Sequence, residues 1–204
     1  MKKKKLSIIV ASIAIIACVG GTFAWFTATD SVTNNFIALG NEDLDDDPDD
    51  GVKVVEEFDE ETAGKATPGT IVNKDAGAKN TATYDSFIRI KIEKEFKESP
   101  YGGNDINKIN LSYQNTTTIK ELSEGKWVDG GDGYYYYLGK VAPKETTPYL
   151  LDSVTLDNSA DNTYKNCKYD VEVIAEGIQA SNGAAADTWT TAPEMILDKL
   201  TSLQ

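Results

Sequence analysis

The stretch YDSFIRIKIEKEF, residues 84–96, has the clearest β-strand pattern of the chain. Its apolar and charged residues alternate, with Phe87, Ile88, Ile90, Ile92 and Phe96 set against Arg89, Lys91, Glu93 and Glu95. A period of two predicts a strand that has one face packed and one face in water. Arg89 is the single arginine of the chain. It is open to two interpretations: an exposed charge, or a bidentate partner for a buried carboxylate.

Further strands are predicted on both sides of this stretch. The candidate segments are residues 52–58, 70–73, 109–113, 126–128, 134–141, 150–156 and 168–180. The glycines of DGGDG, residues 129–133, predict a tight hairpin turn, and residues 75–80 predict a loop. Within residues 168–180 the parity of the apolar positions shifts near Ile174 and Gly177, which predicts a β-bulge.

The last residues, APEMILDKLTSLQ at 192–204, predict a short helix with Pro193 in its first turn. Seven or eight strands separated by turn clusters leave little room for other helices. The sequence therefore predicts an all-β fold over residues 52–204, a jelly-roll-like antiparallel β-sandwich with short helical additions that include the C-terminal helix.

The N-terminus has the composition of an export signal. Four lysines, residues 2–5, precede an apolar run at 6–19, and Gly20 and Gly21 then interrupt any helix. Small residues at Thr22 and Ala24 predict a signal peptide of residues 1–24, cleaved between Ala24 and Trp25. An uncleaved membrane anchor is the alternative, because no charge occurs in residues 6–29.

Residues 25–40, WFTATDSVTNNFIALG, alternate again and predict a strand. One parity carries the residues that we expect to enter a core: Phe26, Ala28, Val32, Phe36 and Ala38. A strand at a newly made chain end can fold back onto its own sheet or complete the sheet of a neighbouring molecule, and the pattern leaves both open.

Residues 41–51, NEDLDDDPDDG, predict an acidic linker, with an irregular cation site as the alternative. A helix–loop–helix calcium motif fails there, because Pro48 stands where an oxygen ligand is required. In the whole chain 33 acidic residues outnumber 20 basic ones, for a net charge of −13. Such a surface repels phosphate, so no nucleic-acid partner is expected.

The chain also lacks the usual residues of catalysis. It has no histidine, and its two cysteines lie apart, Cys18 in the apolar run and Cys167 alone in the body. Histidine is the commonest general base near neutral pH and the commonest imidazole ligand of zinc. We therefore predict no enzyme, no catalytic or metal residues and no cofactor. Cys167 is expected to be a small buried apolar residue, with a reactive thiol as the alternative.

Three segments resemble one known family. Residues 3–40 resemble the export signal and mature start of the TasA/camelysin proteins, which a dedicated SipW-type signal peptidase processes. PGTIVNKDAGAKNTATYDSFIRIKI, residues 68–92, is similar to that family's pattern of Pro-Gly, strand, turn and long strand. YYYYLGKVAPKETTPYLLDSVTL and YDVEVIAEGIQA, residues 134–156 and 169–180, resemble its BsaA-like branch.

The resemblance implies a secreted subunit of biofilm-matrix fibres or pili, outside a Gram-positive cell. Residues 25–40 would be a donor strand that fills a gap in the next subunit. The implied partners are further copies of the chain, a SipW-type signal peptidase during export, and other matrix subunits. The alternative is a monomeric module for binding or adhesion at the cell surface, including one that binds calcium. The peptidase label of camelysin conflicts with the absence of histidine.

Overall fold

A computed structural model describes residues 27–35 and 51–204 of the chain. The predicted signal peptide, its cleavage site at Ala24 and Trp25, and acidic residues 41–50 lie outside the described residues. So do Phe26, Phe36 and Ala38 of the predicted donor strand.

Within the described residues, ten strands form two sheets. The six-stranded sheet has the order β1 (Thr27–Asn35), β10 (Lys168–Gln179), β4 (Ser86–Glu98), β8 (Tyr135–Tyr137), β7 (Trp127–Asp129) and β6 (Thr116–Thr117). The four-stranded sheet has the order β2 (Val52–Phe58), β3 (Ile71–Asn80), β9 (Leu151–Leu156) and β5 (Ile109–Tyr113). All neighbouring pairs are antiparallel except β6 and β7. The prediction of an all-β sandwich is confirmed.

Three short α-helices complete the described part: α1 (Glu60–Ala63), α2 (Ala184–Thr188) and α3 (Glu194–Ser202). Two single turns of 3-10 helix, Ile106–Lys108 and Asn162–Tyr164, precede β5 and β10. Helix α3 confirms the predicted C-terminal helix, with Pro193 at its N-cap. None of the helices described is long and apolar enough to span a bilayer.

The main core lies between the two sheets. Ile88 and Ile90 of β4 and Val173 of β10 are fully buried there against side chains of the smaller sheet. Full burial of one such side chain contributes about 1.5–3 kcal/mol. Ile88 and Ile90 occupy the parity that the alternation in residues 84–96 assigned to the packed face.

A second core lies on the outer face of the six-stranded sheet. The fully buried Phe87 of β4 and Ile178 of β10 pack there against residues that the C-terminal segment supplies, including Ala184, Trp189, Ile196 and Leu200. The segment after β10 therefore covers part of a face that would otherwise meet water.

This second core explains why the predicted β-bulge near Ile174 and Gly177 is wrong. The pairing of β10 with β4 runs without a break from Tyr169 to Gln179, and its register shifts between Lys168 and Tyr169 instead. The apolar parity changes along β10 because the outward residue Ile178 is covered by the second core, not because the strand is irregular.

The loop predicted at residues 75–80 is also wrong. Strand β3 continues to Asn80, and β2 pairs with it from Val52↔Asn80 to Phe58↔Lys74. Small residues fit this strand because other groups approach it closely: a Cβ on Gly77 would lie 3.1 Å from the Thr147 hydroxyl oxygen. The hairpin predicted around DGGDG is confirmed, with β7 paired to β8.

Candidate functional site

Strand β1 forms one edge of the six-stranded sheet. It pairs antiparallel with β10 over its whole length, from Thr27↔Ile178 to Asn35↔Asp170. Among the described strands β10 is its sole ladder partner. In a single chain, therefore, the N-terminal strand completes the sheet of its own molecule.

The register locates the predicted donor residues that the structure describes. Ala28 lies opposite Gly177 and Val32 lies opposite Val173. Val173 is buried in the main core. The role of these residues as a donor strand stays a prediction.

The other side of β10 is hydrogen-bonded to β4. It pairs with β4 from Lys168 to Gln179, so removal of β1 would leave β10 as the new edge of the sheet. A free edge presents a row of unpaired N–H and C=O groups to which another strand can pair. The edge of β10 is therefore a site that recognises an extended segment through its main chain.

Arg89 ties β4 to β10 on the outer face of this sheet. Its Nε and Nη2 both donate to Glu176 Oε2, at 2.8 and 2.6 Å, and its side chain is 11% exposed. The guanidinium carbon lies 3.8 Å from the ring centre of Tyr134 and 5.0 Å from that of Trp189. Of the two interpretations of Arg89, the structure supports the carboxylate partner.

Tyrosine hydroxyls extend this Arg89 cluster. Tyr134 donates to the second oxygen of Glu176 at 2.9 Å, and Tyr136 donates to Asp132 at 2.7 Å. Desolvation, followed by the hydrogen bond to Asp132, raises the pKa of Tyr136. The hydroxyl of Thr191 also donates to Asp132, at 3.0 Å, so the hairpin turn is joined to the C-terminal segment.

A buried ion pair lies on the inner face of the smaller sheet. Lys74 of β3 has a fully buried side chain, and its Nζ donates to Glu56 Oε2 of β2 at 2.8 Å. The Nζ atom also lies 5.4 Å from the ring centre of Phe58. Desolvation lowers the pKa of Lys74, and the charge of Glu56 opposes this shift.

Sequence reasoning missed this pair, although a signal was present. Lys74 shares its parity with Val72, Ala76 and Ala78, which are buried. An extended strand through residue 80 would have put the lysine on the packed face. The predicted loop at residues 75–80 hid that pattern.

A cavity of about 610 Å³ opens at the end of the sandwich where β10 begins. Its wall contains Ala63 beyond β2, Leu156 at the end of β9, and Cys167 and Tyr169 around the start of β10. Tyr169 is buried and packs edge-on against Phe96. Cys167 is half-buried and free, and burial raises the pKa of its thiol.

Over residues 27–35 and 51–204 no three side chains among histidine, cysteine, aspartate and glutamate come together as a metal site. The aspartates of residues 41–50 lie outside that part of the chain, so their binding of calcium stays untested.

The comparison with protein families gives one match. Residues 1–91 match the family model described as camelysin metallo-endopeptidase. No curated protein and no solved structure matches the chain. The match ends before residues 134–180, which carry the resemblance to the BsaA-like branch, so that finer assignment stays a prediction.

Proposed function

The N-terminal part of the chain, residues 1–91, belongs to the TasA/camelysin family, and from this premise we propose that the protein is a structural subunit of extracellular fibres. At the level of the family, the match supports a secreted biofilm-matrix protein. In the proposed fibre, β1 of one subunit pairs with β10 of the next. The chain itself is the main partner, and a SipW-type signal peptidase releases the strand during export.

One observation carries this proposal: β1 is an edge strand whose ladder partner in the described part of the chain is β10. The pairs that join β1 to β10 within a chain can form equally well between two chains. Such an exchange joins two different surfaces head to tail, and it propagates into a filament where the rotation between successive subunits does not close into a ring.

The connection to the rest of the domain is long enough for exchange. Gly177, which lies opposite Ala28, also approaches Val52, because a Cβ on it would be 3.2 Å from the Val52 Cβ. The end of β1, Asn35, lies opposite Asp170, which is seven residues along β10 from Gly177. The end of β1 is therefore about 23 Å from the start of β2. The 16 residues at positions 36–51 can reach about 50 Å when extended, so they can also bridge to a neighbour.

The proposal is tested with paired variants of the full chain, secreted with its signal peptidase. Val32→Asp should abolish fibres in electron micrographs of the culture medium, because it puts a charge opposite buried Val173. Thr33→Lys, on the other parity, is the control: it puts opposite charges across the pair with Glu172 and should leave fibres in place.

A chain that starts near Glu42 provides the second arm. It lacks β1 and should yield no fibres, whereas the chain that starts at Trp25 should assemble. Monomers from both chains would contradict the proposal and favour the monomeric adhesion module.

The family description also names a metal-dependent peptidase. A zinc site of the usual kind does not fit this chain, because it has no histidine and its described residues bring no three metal donors together. That the protein is not an enzyme stays a prediction, which incubation of the secreted protein with casein tests directly.

A further inference from the structure

We propose that Tyr113 of β5 and Tyr135 of β8 are a site of oxidative cross-linking, where a one-electron oxidant joins the two phenol rings into dityrosine. The new bond fastens the four-stranded sheet to the six-stranded sheet. It forms within one chain, so the proposal stands independently of the strand exchange proposed above.

These two rings have the shortest distance between ring centres among the described aromatic contacts. Their centres lie 4.7 Å apart, and their planes are inclined by 31°. Tyr134 and Tyr136, by comparison, have centres 6.4 Å apart and planes inclined by 54°. The hydroxyl ends of Tyr113 and Tyr135 also lie together: burial, and after it the interaction with the Tyr113 hydroxyl, raises the pKa of Tyr135. Dityrosine joins the ring carbons beside the hydroxyl-bearing carbons, so this is the arrangement that coupling needs.

The pair lies where the chain passes from one sheet to the other. Strand β5 ends at Tyr113 in the smaller sheet, and β6 begins at Thr116 in the larger one. Tyr113 is 38% exposed, whereas Tyr135 is partly buried and packs against the main core. An oxidant in solution therefore reaches Tyr113 directly, and the packing holds Tyr135 in place beside it.

Coupling removes two electrons and two protons from the pair. Each phenol gives up one electron and its hydroxyl proton, and the two phenoxyl radicals form one C–C bond between their rings. The hydrogens on the two bonded carbons then move to the oxygens, which restores both phenols. Hydrogen peroxide, acting through a haem peroxidase, accepts both electrons and both protons and becomes two molecules of water. The cross-linked protein is therefore lighter by two hydrogen atoms.

A cross-link at this place constrains a segment that has no disulfide. Residues 51–204 contain a single cysteine, Cys167, so no disulfide can join the two sheets within this part of the chain. A bond between residues 113 and 135 closes a loop that contains β6, β7 and the hairpin turn at residues 129–133. Closing a loop lowers the entropy of the unfolded chain and therefore favours the folded state.

The test is mild oxidation of the dilute secreted protein with a haem peroxidase and hydrogen peroxide. The chain carries Tyr101→Phe, because Tyr101 is 57% exposed and an exposed tyrosine couples between molecules. Peptide mass mapping of the monomer should show a link between positions 113 and 135 that is lighter by two hydrogens, together with the fluorescence of dityrosine. The cross-link should raise Tm by roughly 5–10 °C.

Three variants separate this pair from the other tyrosines. Tyr113→Phe and Tyr135→Phe each keep a ring but lose a hydroxyl, so neither should give dityrosine under the same conditions. Tyr134→Phe changes the more widely spaced pair and should leave the yield of the 113–135 link unchanged.

The outcomes bear on the cross-link alone. No link in the parent, or dityrosine that maps to other positions, would overturn the proposal, and a link that leaves Tm unchanged would overturn its role in fastening the sheets. Electron micrographs of the same samples score fibres separately, so a missing cross-link with fibres present leaves the proposed function standing. A cross-link without fibres supports this site and contradicts the proposed function.

Discussion

Replacing Glu56 with glutamine is expected to lower the free energy of unfolding by about 3–5 kcal/mol at pH 7. The substitution keeps the size of the side chain but removes the charge that Lys74 Nζ contacts at 2.8 Å. Lys74 is fully buried, so its charge would then face a neutral amide oxygen and the ring of Phe58 instead of a carboxylate. Urea unfolding followed by circular dichroism measures the loss.

The loss should shrink as the pH rises. Burial already holds the pKa of Lys74 below its ordinary value, and removal of the carboxylate lowers it further. Between the folded pKa and the ordinary value near 10.5, the unfolded chain binds more protons than the folded one, so the free energy of unfolding increases with pH. The difference between variant and parent should therefore be smaller at pH 9 than at pH 7.

A double variant is the matched control. Lys74→Met with Glu56→Leu removes both charges and fills a similar volume, so it should restore most of the stability or exceed that of the parent. A Glu56→Gln variant as stable as the parent, with no dependence on pH, would mean that water reaches the lysine.

Arg89→Lys is expected to lower the free energy of unfolding by about 1.5–3 kcal/mol. A lysine cannot supply two N–H groups to Glu176 and at the same time stack on Tyr134. The emission of Trp189 should also change, because the guanidinium lies 5.0 Å from its ring. Urea unfolding and fluorescence measure the two effects.

Lys91→Ala is the control on the same face of the same strand. The side chain of Lys91 is 39% exposed and pairs with Glu93, which is also partly exposed, so its removal should change the free energy of unfolding by less than about 1 kcal/mol. Equal effects of the two substitutions would mean that the Arg89 cluster adds nothing beyond an ordinary surface charge.

The Arg89 cluster also bears on the proposed exchange of β1. Glu176 lies opposite Thr29 of β1, and Arg89 holds it from β4. The strand that accepts β1 is therefore fixed to its neighbour by side chains as well as by the ladder. It can keep its shape while the incoming strand is replaced.

Much of this architecture follows from sequence pattern. Alternation in residues 84–96 predicts β4 and its packed face, the glycines of residues 129–133 predict the hairpin, and residues 192–204 predict α3. The strand predicted within residues 25–40 is present as β1, whereas the role of Ala28 and Val32 as donor residues stays a prediction. These features depend on neighbours in sequence, which a local pattern records.

Other features depend on what covers a strand, and the tertiary structure alone decides them. The sequence tells which residues share a face, but Ile178 is buried because the C-terminal segment lies over its face. The buried Lys74 likewise depends on Glu56, which the pairing of β2 with β3 brings next to it. The pattern likewise does not decide whether Arg89 is an exposed charge or the partner of a carboxylate. The packing of Tyr134, Trp189 and Glu176 around it supports the carboxylate partner. Alternation shows to which face of a strand each side chain points, whereas burial depends on what other parts of the chain pack against that face.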